Sequence, residues 1–190
     1  MKASSPAGSL TIREVERLAD REIAELASIL VAVVAQGASV GFLPPLALGV
    51  AEEYWRTGLE AGTILLVAEL DGRIVGTAQL ALASRPNGQH RAEVNKVLVH
   101  PAYQRQGIGR KLMDTIEAVA RREGRTLLHL DTREGDPSNR LYQSLGYIEA
   151  GRIPCWARSA DGTLHTTVFY YKLLRRNDAR LDEMPAPPRG

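Results

Sequence analysis

The stretch from Val97 to Met113 constrains this chain more than any other. A β-branched apolar run, Val97-Leu98-Val99, stops at His100-Pro101. A short basic turn follows, and Gly107 and Gly109 open a segment in which Ile108, Leu112, Met113, Ile116, Val119 and Ala120 fall on one helical face. A strand therefore delivers the chain to a helix N-terminus stripped of side chains. The first backbone N–H groups of such a terminus lack intrahelical partners, and the helix dipole favours negative charge there. Arg105 and Arg110 flank the glycines, so a phosphate or pyrophosphate ligand is expected; each arginine fits a solvated surface position equally well.

Two phosphate motifs fail on these residues. The mononucleotide P-loop requires Gly, four residues, then Gly-Lys-Ser/Thr, but Lys111 is followed by Leu112 and no Ser or Thr is placed to hold magnesium. The dinucleotide fingerprint requires a small residue where Leu112 stands. What remains is Gln104-x-x-Gly107-x-Gly109 directly after a strand. This resembles the acetyl-CoA pyrophosphate loop of the GNAT superfamily of N-acyltransferases, whose pattern is Arg or Gln, two residues, Gly, one residue, then Gly or Ala.

The likeness extends further. Asn139-Arg140-Leu141-Tyr142-Gln143-Ser144-Leu145-Gly146-Tyr147 resembles the second GNAT signature, in which a short helix carries an Asn and a Tyr towards the cofactor thioester. Over residues 91–174, Ala92 to Val97, Leu127 to Thr132, Asp161 to His165 and Tyr170 to Leu174 resemble the tabtoxin-resistance acetyltransferase group, which acetylates a small amino-bearing β-lactam toxin. The N-terminal third matches less closely.

The chain has 190 residues and a net charge of +2, with 24 Lys and Arg against 22 Asp and Glu. That length suits one domain with a real core, and the near balance of charge implies no broad nucleic-acid surface. A single cysteine, Cys155, excludes an internal disulfide and suits a reducing compartment. The small, polar start carries no secretory pattern, and Ile29 to Ala35 is far too short to span a membrane. A cytoplasmic protein is expected, with no nucleic-acid or membrane partner and room for a homodimer.

Periodicity and turn signals predict strands at 10–15, 64–70, 73–83, 92–99, 126–132, 147–156 and 166–174. They predict helices near 18–37, 46–58, 108–123 and 137–145. The order β–α–α–β–β–β–α–β–α–β–β gives an α/β fold with a mixed sheet and helices on both faces. The GNAT resemblance makes that sheet mostly antiparallel. Residues 1–9 and 177–190 read as loose tails around one acyl-CoA N-acyltransferase domain at 10–176.

The resemblance assigns acetyl-CoA as co-substrate, with no metal. Val97, Leu98 and Val99 would present backbone to the pantetheine arm. Gln104, Arg105, Gln106, Gly107, Ile108, Gly109 and Arg110 would hold the pyrophosphate, and Asn139 would lie near the thioester. The Val99 N–H is the candidate oxyanion donor, a contact worth roughly 3 kcal/mol of barrier in well-studied oxyanion holes. An alkylamine, with a pKa near ~10.4, must lose a proton before it attacks. Glu93 and Asp131 are the candidate bases; Glu93 also fits a surface charge at a strand start, and Asp131 a ligand to the turn that follows it. Alternation places Glu93, Asn95, Val97 and Val99 on one face, and Leu127, His129 and Asp131 on one face of the next strand.

Tyr142, with a phenol pKa near ~10, is the candidate acid for the leaving sulfur, and a packing tyrosine is its structural alternative. His129 reads as a satisfied core histidine, His100 as structural or exposed, and Cys155 as a packing residue. The expected reaction is acetyl transfer to the primary amine of a small molecule, such as a toxin or antibiotic. A protein or peptide amine, or a non-catalytic acyl-CoA-binding module, are the alternatives.

Overall fold

The computed structural model describes residues 9–174. The expected tails, Ser9 apart, lie outside the described residues. Strands β1 (Leu10–Val15), β2 (Thr63–Leu70), β3 (Arg73–Leu82), β4 (Arg91–Val99), β5 (Leu127–Arg133), β6 (Ile148–Arg158) and β7 (Leu164–Leu173) alternate with helices α1 (Asp20–Ala35), α2 (Leu48–Thr57), α3 (Ile108–Arg122) and α4 (Pro137–Ser144). The element order is the one read from the sequence. Two short 3₁₀ turns, Pro86–Gly88 and Pro101–Tyr103, are additions.

The strands form one seven-stranded sheet in the order β1-β2-β3-β4-β5-β7-β6. Every neighbouring pair is antiparallel except β4–β5. Asp71-Gly72, both at positive φ, closes the β2–β3 hairpin. The apolar run Leu65 to Ala68 is buried throughout, because helices cover β2 on both faces. On one face α3 packs Ile108, Leu112 and Ile116 against Leu66, Ala78, Leu80, Val94 and Leu128. On the other, α1 and α2 pack Leu26, Leu30 and Trp55 against Leu65, Val67, Ile74 and Leu98.

The alternation expected along β4 does not hold. Thr77 faces Leu98 while Gln79 faces Asn95, so β4 carries one extra residue there, and Lys96 takes the left-handed conformation at φ 49°. Ala92 and Val94 belong to the α3 face, but beyond the bulge it is Leu98 that packs under α1 and Val97 and Val99 that pack towards α3. Glu93 and Asn95 therefore share the α1–α2 face with Lys96, and Val97 and Val99 lie on the opposite one. A bulge shifts the two-residue period by one and turns every later side chain over.

Strands β6 and β7 differ from expectation in extent, with β6 reaching Arg158 and β7 beginning at Leu164. Their pairing breaks between Ile153 and Ala157, where Cys155 has a φ of 57°. The bulge turns Cys155 outward, so it is exposed rather than packed.

Candidate active site

Strands β4 and β5 pair only at Arg91–Leu127, Ala92–Leu128 and Glu93–His129. Beyond that point β5 stays bound to β7 as far as Arg133, and β4 stays bound to β3 as far as Val99. The two strands part, and the inner edge of β4 loses its partner. The direction of that free edge follows from the register. His100 N donates to Val75 O at 2.9 Å, so Gly76 and Val99, one step along, form a pair that exchanges no ladder bonds. The Val99 N–H and C=O therefore point away from β3, into the split. Gln104 Nε2 reaches that carbonyl at 3.1 Å and Gln36 Oε1 at 3.4 Å, which ties the turn to the end of β4 and to α1.

The split runs directly into the glycine turn. His100 Nδ1 accepts from Ala102 N at 3.2 Å and caps the 3₁₀ turn, the structural role expected for it. Arg105 and Gly107 take left-handed φ values of 63° and 82°. The first helical bond runs from Lys111 N to Gly107 O at 3.1 Å. The N–H groups of Ile108, Gly109 and Arg110 thus have no intrahelical acceptor, at a helix start whose Arg105, Gln106, Gly107 and Arg110 are exposed. Ile108 is buried as a core residue beneath Gly76. A Cβ on Gly109 would sit 3.4 Å from Leu141 Cδ2 and 4.0 Å from Val99 Cγ2, so the helix end lies close against β4 and α4. The Arg110 guanidinium donates to Ser144 Oγ at 2.7 Å, which pins the start of α3 to α4.

The charged candidates gather on the α1–α2 face of the split. Leu128 and Leu130 point into the α3-side core, which leaves His129 and Asp131 on the face that holds Glu93 and Lys96. Lys96 Nζ donates to Val40 O at 3.0 Å and lies 5.6 Å from the Tyr54 ring centre. The Asp131 side chain opens to solvent within the split, yet the protein walls around it raise its pKa by desolvation. Glu93 raises it further, against the lowering pull of Lys96 and His129. Desolvation lowers Lys96, opposed by Asp131 and Glu93. His129 is half-buried and makes no side-chain hydrogen bond among the described residues, so it is not the satisfied core histidine expected; burial lowers its pKa.

On the α3 side, Tyr142 is 6% exposed, with ring centres of Tyr147 and Tyr170 at 5.9 and 6.1 Å. Burial first, then the Asp131 carboxylate, pushes its phenol well above the ordinary value. Its hydroxyl has no hydrogen-bond partner among the described residues. The Asn139 amide is fully engaged: Nδ2 donates to Arg133 O at 2.8 Å and Asp136 O at 2.9 Å, and Oδ1 accepts from Tyr170 Oη at 3.0 Å. Asn139 thus orders the start of α4 and the tyrosine beside Tyr142.

A free strand edge that leads to an unblocked helix N-terminus can be set beside known proteins. The profile of the acetyltransferase (GNAT) family matches residues 45–147, more than half of the chain. The chain belongs to the GNAT acetyltransferase family. It is similar to an uncharacterized N-acetyltransferase of Azospirillum brasilense, 32% identical over 66% of this chain and 76% of that one. It is also similar to a phosphinothricin N-acetyltransferase of Alcaligenes faecalis, 36% identical over 66% of this chain and 64% of the other. A Salmonella typhimurium structure solved with its cofactor acetyl-CoA shares the fold at a TM-score of 0.72 and 24% identity, over 92% of this chain and 99% of that one.

In this GNAT fold the segment between α1 and α2 bridges both lips of the split. Arg133 Nη2 donates to Gly37 O at 2.9 Å from the β5 lip, and Lys96 donates to Val40 O from the β4 lip. Sequence reading missed both residues. Lys96 would fall opposite Glu93 by alternation, and only the bulge brings it round; no local signal marked it. The residues assigned to the acetyl donor fit an anionic ligand with an amide-bearing arm: unpaired helix N–H groups beside exposed arginines, and a strand edge with its peptide groups turned into the split. Among the described residues no cluster of His, Cys, Asp and Glu could hold a metal ion, and no helix is long and apolar enough to cross a membrane.

Proposed function

We propose that this protein transfers the acetyl group of acetyl-CoA to the primary amine of a small molecule, by direct attack of the amine on the thioester. The observation that carries the reading is the parting of β4 and β5 after Glu93 and His129. It leaves a free backbone edge leading to the Gly107 turn and sets Glu93 and Asp131 on the rim. The turn and the helix start bind the pyrophosphate, and the edge at Val97 and Val99 pairs with the pantetheine amides.

Asp131 accepts the proton that the ammonium sheds. Its raised pKa makes it a stronger base than an ordinary carboxylate. Glu93 holds the ammonium in place. As the N–C bond forms and the C–S bond breaks, the Val99 N–H stabilises the carbonyl oxygen. Tyr142, a neutral phenol at pH 7, gives its proton to the departing sulfur. The acylated nitrogen sheds its second proton as the intermediate collapses, which restores the Tyr142 phenol, and Asp131 passes its proton to solvent; the products are the N-acetylated amine and free coenzyme A. The likeness to a phosphinothricin N-acetyltransferase supports a small amino-bearing toxin or antibiotic as acceptor.

Thiol release from acetyl-CoA across a panel of small amines, set against lysine-bearing peptides, tests the reading. Turnover with small amines is expected, and Asp131→Asn should cut it by about 10²–10⁴-fold. Tight acetyl-CoA binding with no acetylated product in the whole panel would leave a non-catalytic binding module instead.

A further inference from the structure

The two faces of the sheet are covered unequally. Helix α3 packs on β1 to β4 and α4 on β5 of one face, whereas α1 and α2 pack on β2, β3 and β4 of the other. On that second face the segment between α1 and α2 reaches Arg133 of β5, and Thr167 of β7 is buried, but Phe169 of β7 is only partly covered and β6 is exposed along most of its length. Asp131 stands directly opposite Phe169 in the β5–β7 ladder. Val168 and Tyr170 point into the α3-side core, so Phe169 stands on the face of Asp131, one strand further out. The next partner outward is Gly151 on β6, where a Cβ would meet nothing within 4 Å. The vacant flank of Phe169 is taken by Trp156. The β6 bulge at Cys155 swings its indole edge-on to the Phe169 ring, with centres 5.4 Å apart and planes at 83°. Trp156 remains 57% exposed.

Neither ring belongs to either hydrophobic core. A half-buried Phe169 and an exposed Trp156 held against each other, next to a carboxylate pair, form a surface whose charge and polarity change in order. Glu93 and Asp131 come first, then Phe169, then Trp156. Strands lie about 5 Å apart, so Trp156 stands roughly 10 Å from Asp131 along this row. An amine seated at the carboxylates puts its carbon skeleton over the rings.

We infer that Phe169 and Trp156 form the acceptor's apolar subsite, and that the acceptor is a primary amine with an aromatic or branched apolar body about 10 Å long. The inference rests on the proposed acetyltransferase reading and adds the chemistry of the acceptor to it. The continuity of the rings with Asp131, and the match of negative rim to ammonium, commit the subsite to a small molecule rather than to a second copy of the chain.

The test compares kcat/KM for phenylalkyl and branched alkyl amines with that for short polar amines, in the wild type, Phe169→Ala, Phe169→Leu and Trp156→Ala. The preference for the apolar amines should fall by about tenfold in Phe169→Ala, less in Trp156→Ala, and largely return in Phe169→Leu. Titration of phenylethylamine against Trp156 emission, with Trp156→Phe as the blank, reads the subsite without turnover. It decides the inference even if no amine is acetylated, an outcome that removes only the catalytic reading. An unchanged preference together with unmoved Trp156 emission overturns the inference. So does a fall in molar mass by light scattering in Phe169→Ala or Trp156→Ala, which would give the face to a second copy.

Discussion

Glu93 and His129 are the last residues to face each other across the parallel β4–β5 ladder. Past them the strands share no bonds, because each keeps its other neighbour: β4 follows β3 and β5 follows β7. The Val99 N–H is thereby left without a strand partner, and the four charged or titratable side chains Glu93, Lys96, His129 and Asp131 collect on one face of the opening.

Lys96 lowers the pKa of Asp131, whereas Glu93 and desolvation raise it. Lys96→Met removes the one lysine charge that favours the carboxylate, so the Asp131 pKa rises. The acid limb of the kcat/KM–pH profile, which reports deprotonation of the base, should move to higher pH. Profiles of wild type and variant against one amine check the sign; a limb that stays in place would detach Lys96 from the base.

Tyr142→Phe removes the proton offered to the departing sulfur and leaves the ring packing with Tyr147 and Tyr170 in place. Turnover should fall by about 10²-fold or more, with acetyl-CoA affinity nearly unaltered by calorimetry. Loss of affinity in proportion to rate would make the hydroxyl a binding group rather than an acid.

Gly107 holds a φ of 82° at the N-cap of α3. A Cβ there meets no neighbour within 4 Å, so the cost of Gly107→Val is conformational, about 1–2 kcal/mol for a left-handed β-branched residue. The turn should relax out of register with the helix start. Acetyl-CoA binding is expected to weaken by about tenfold, measured calorimetrically, while the circular dichroism spectrum is kept.

A structural pair far from the split offers a stability test. Glu117, 6% exposed, accepts from Lys172 Nζ at 2.6 Å and from Arg121 at 3.3 Å, and Lys172 also donates to Leu145 O at 2.6 Å. Glu117→Ala leaves the partly buried ammonium without its counter-charge. The loss should be roughly 2–3 kcal/mol, below the ~3–5 kcal/mol of a fully buried pair. That is a fall in Tm of about 5–10 °C by calorimetry.

Much of the site was legible because its signals are local. The Gly107 turn, the apolar stripe of α3 and the Asn139–Tyr142 helix each lie within a few residues of sequence. Asp131 was singled out as a candidate from its place near a strand end. The face assignments failed where the signal is not local. A left-handed Lys96 is set by how β4 packs between β3 and the split, and nothing in Asn95-Lys96-Val97 announces it. His129 read as a core residue because its own strand is apolar, but it stands on the α1–α2 face of β5, where α1 packs over β3 and β4 instead, and is half-buried. Cys155 read as packed because its bulge is a property of the β6–β7 pairing.

The sequence by itself determined the order of elements, the glycine-opened helix start with its unpaired N–H groups and the types of titratable residue available, since backbone propensity and side-chain chemistry are carried by neighbours along the chain. The tertiary structure alone decided that β4 and β5 separate, which face each charged residue occupies, and that Phe169 and Trp156 stand beside Asp131. Those outcomes depend on strand register and on which faces the helices cover, and both are settled by packing between residues far apart in the chain.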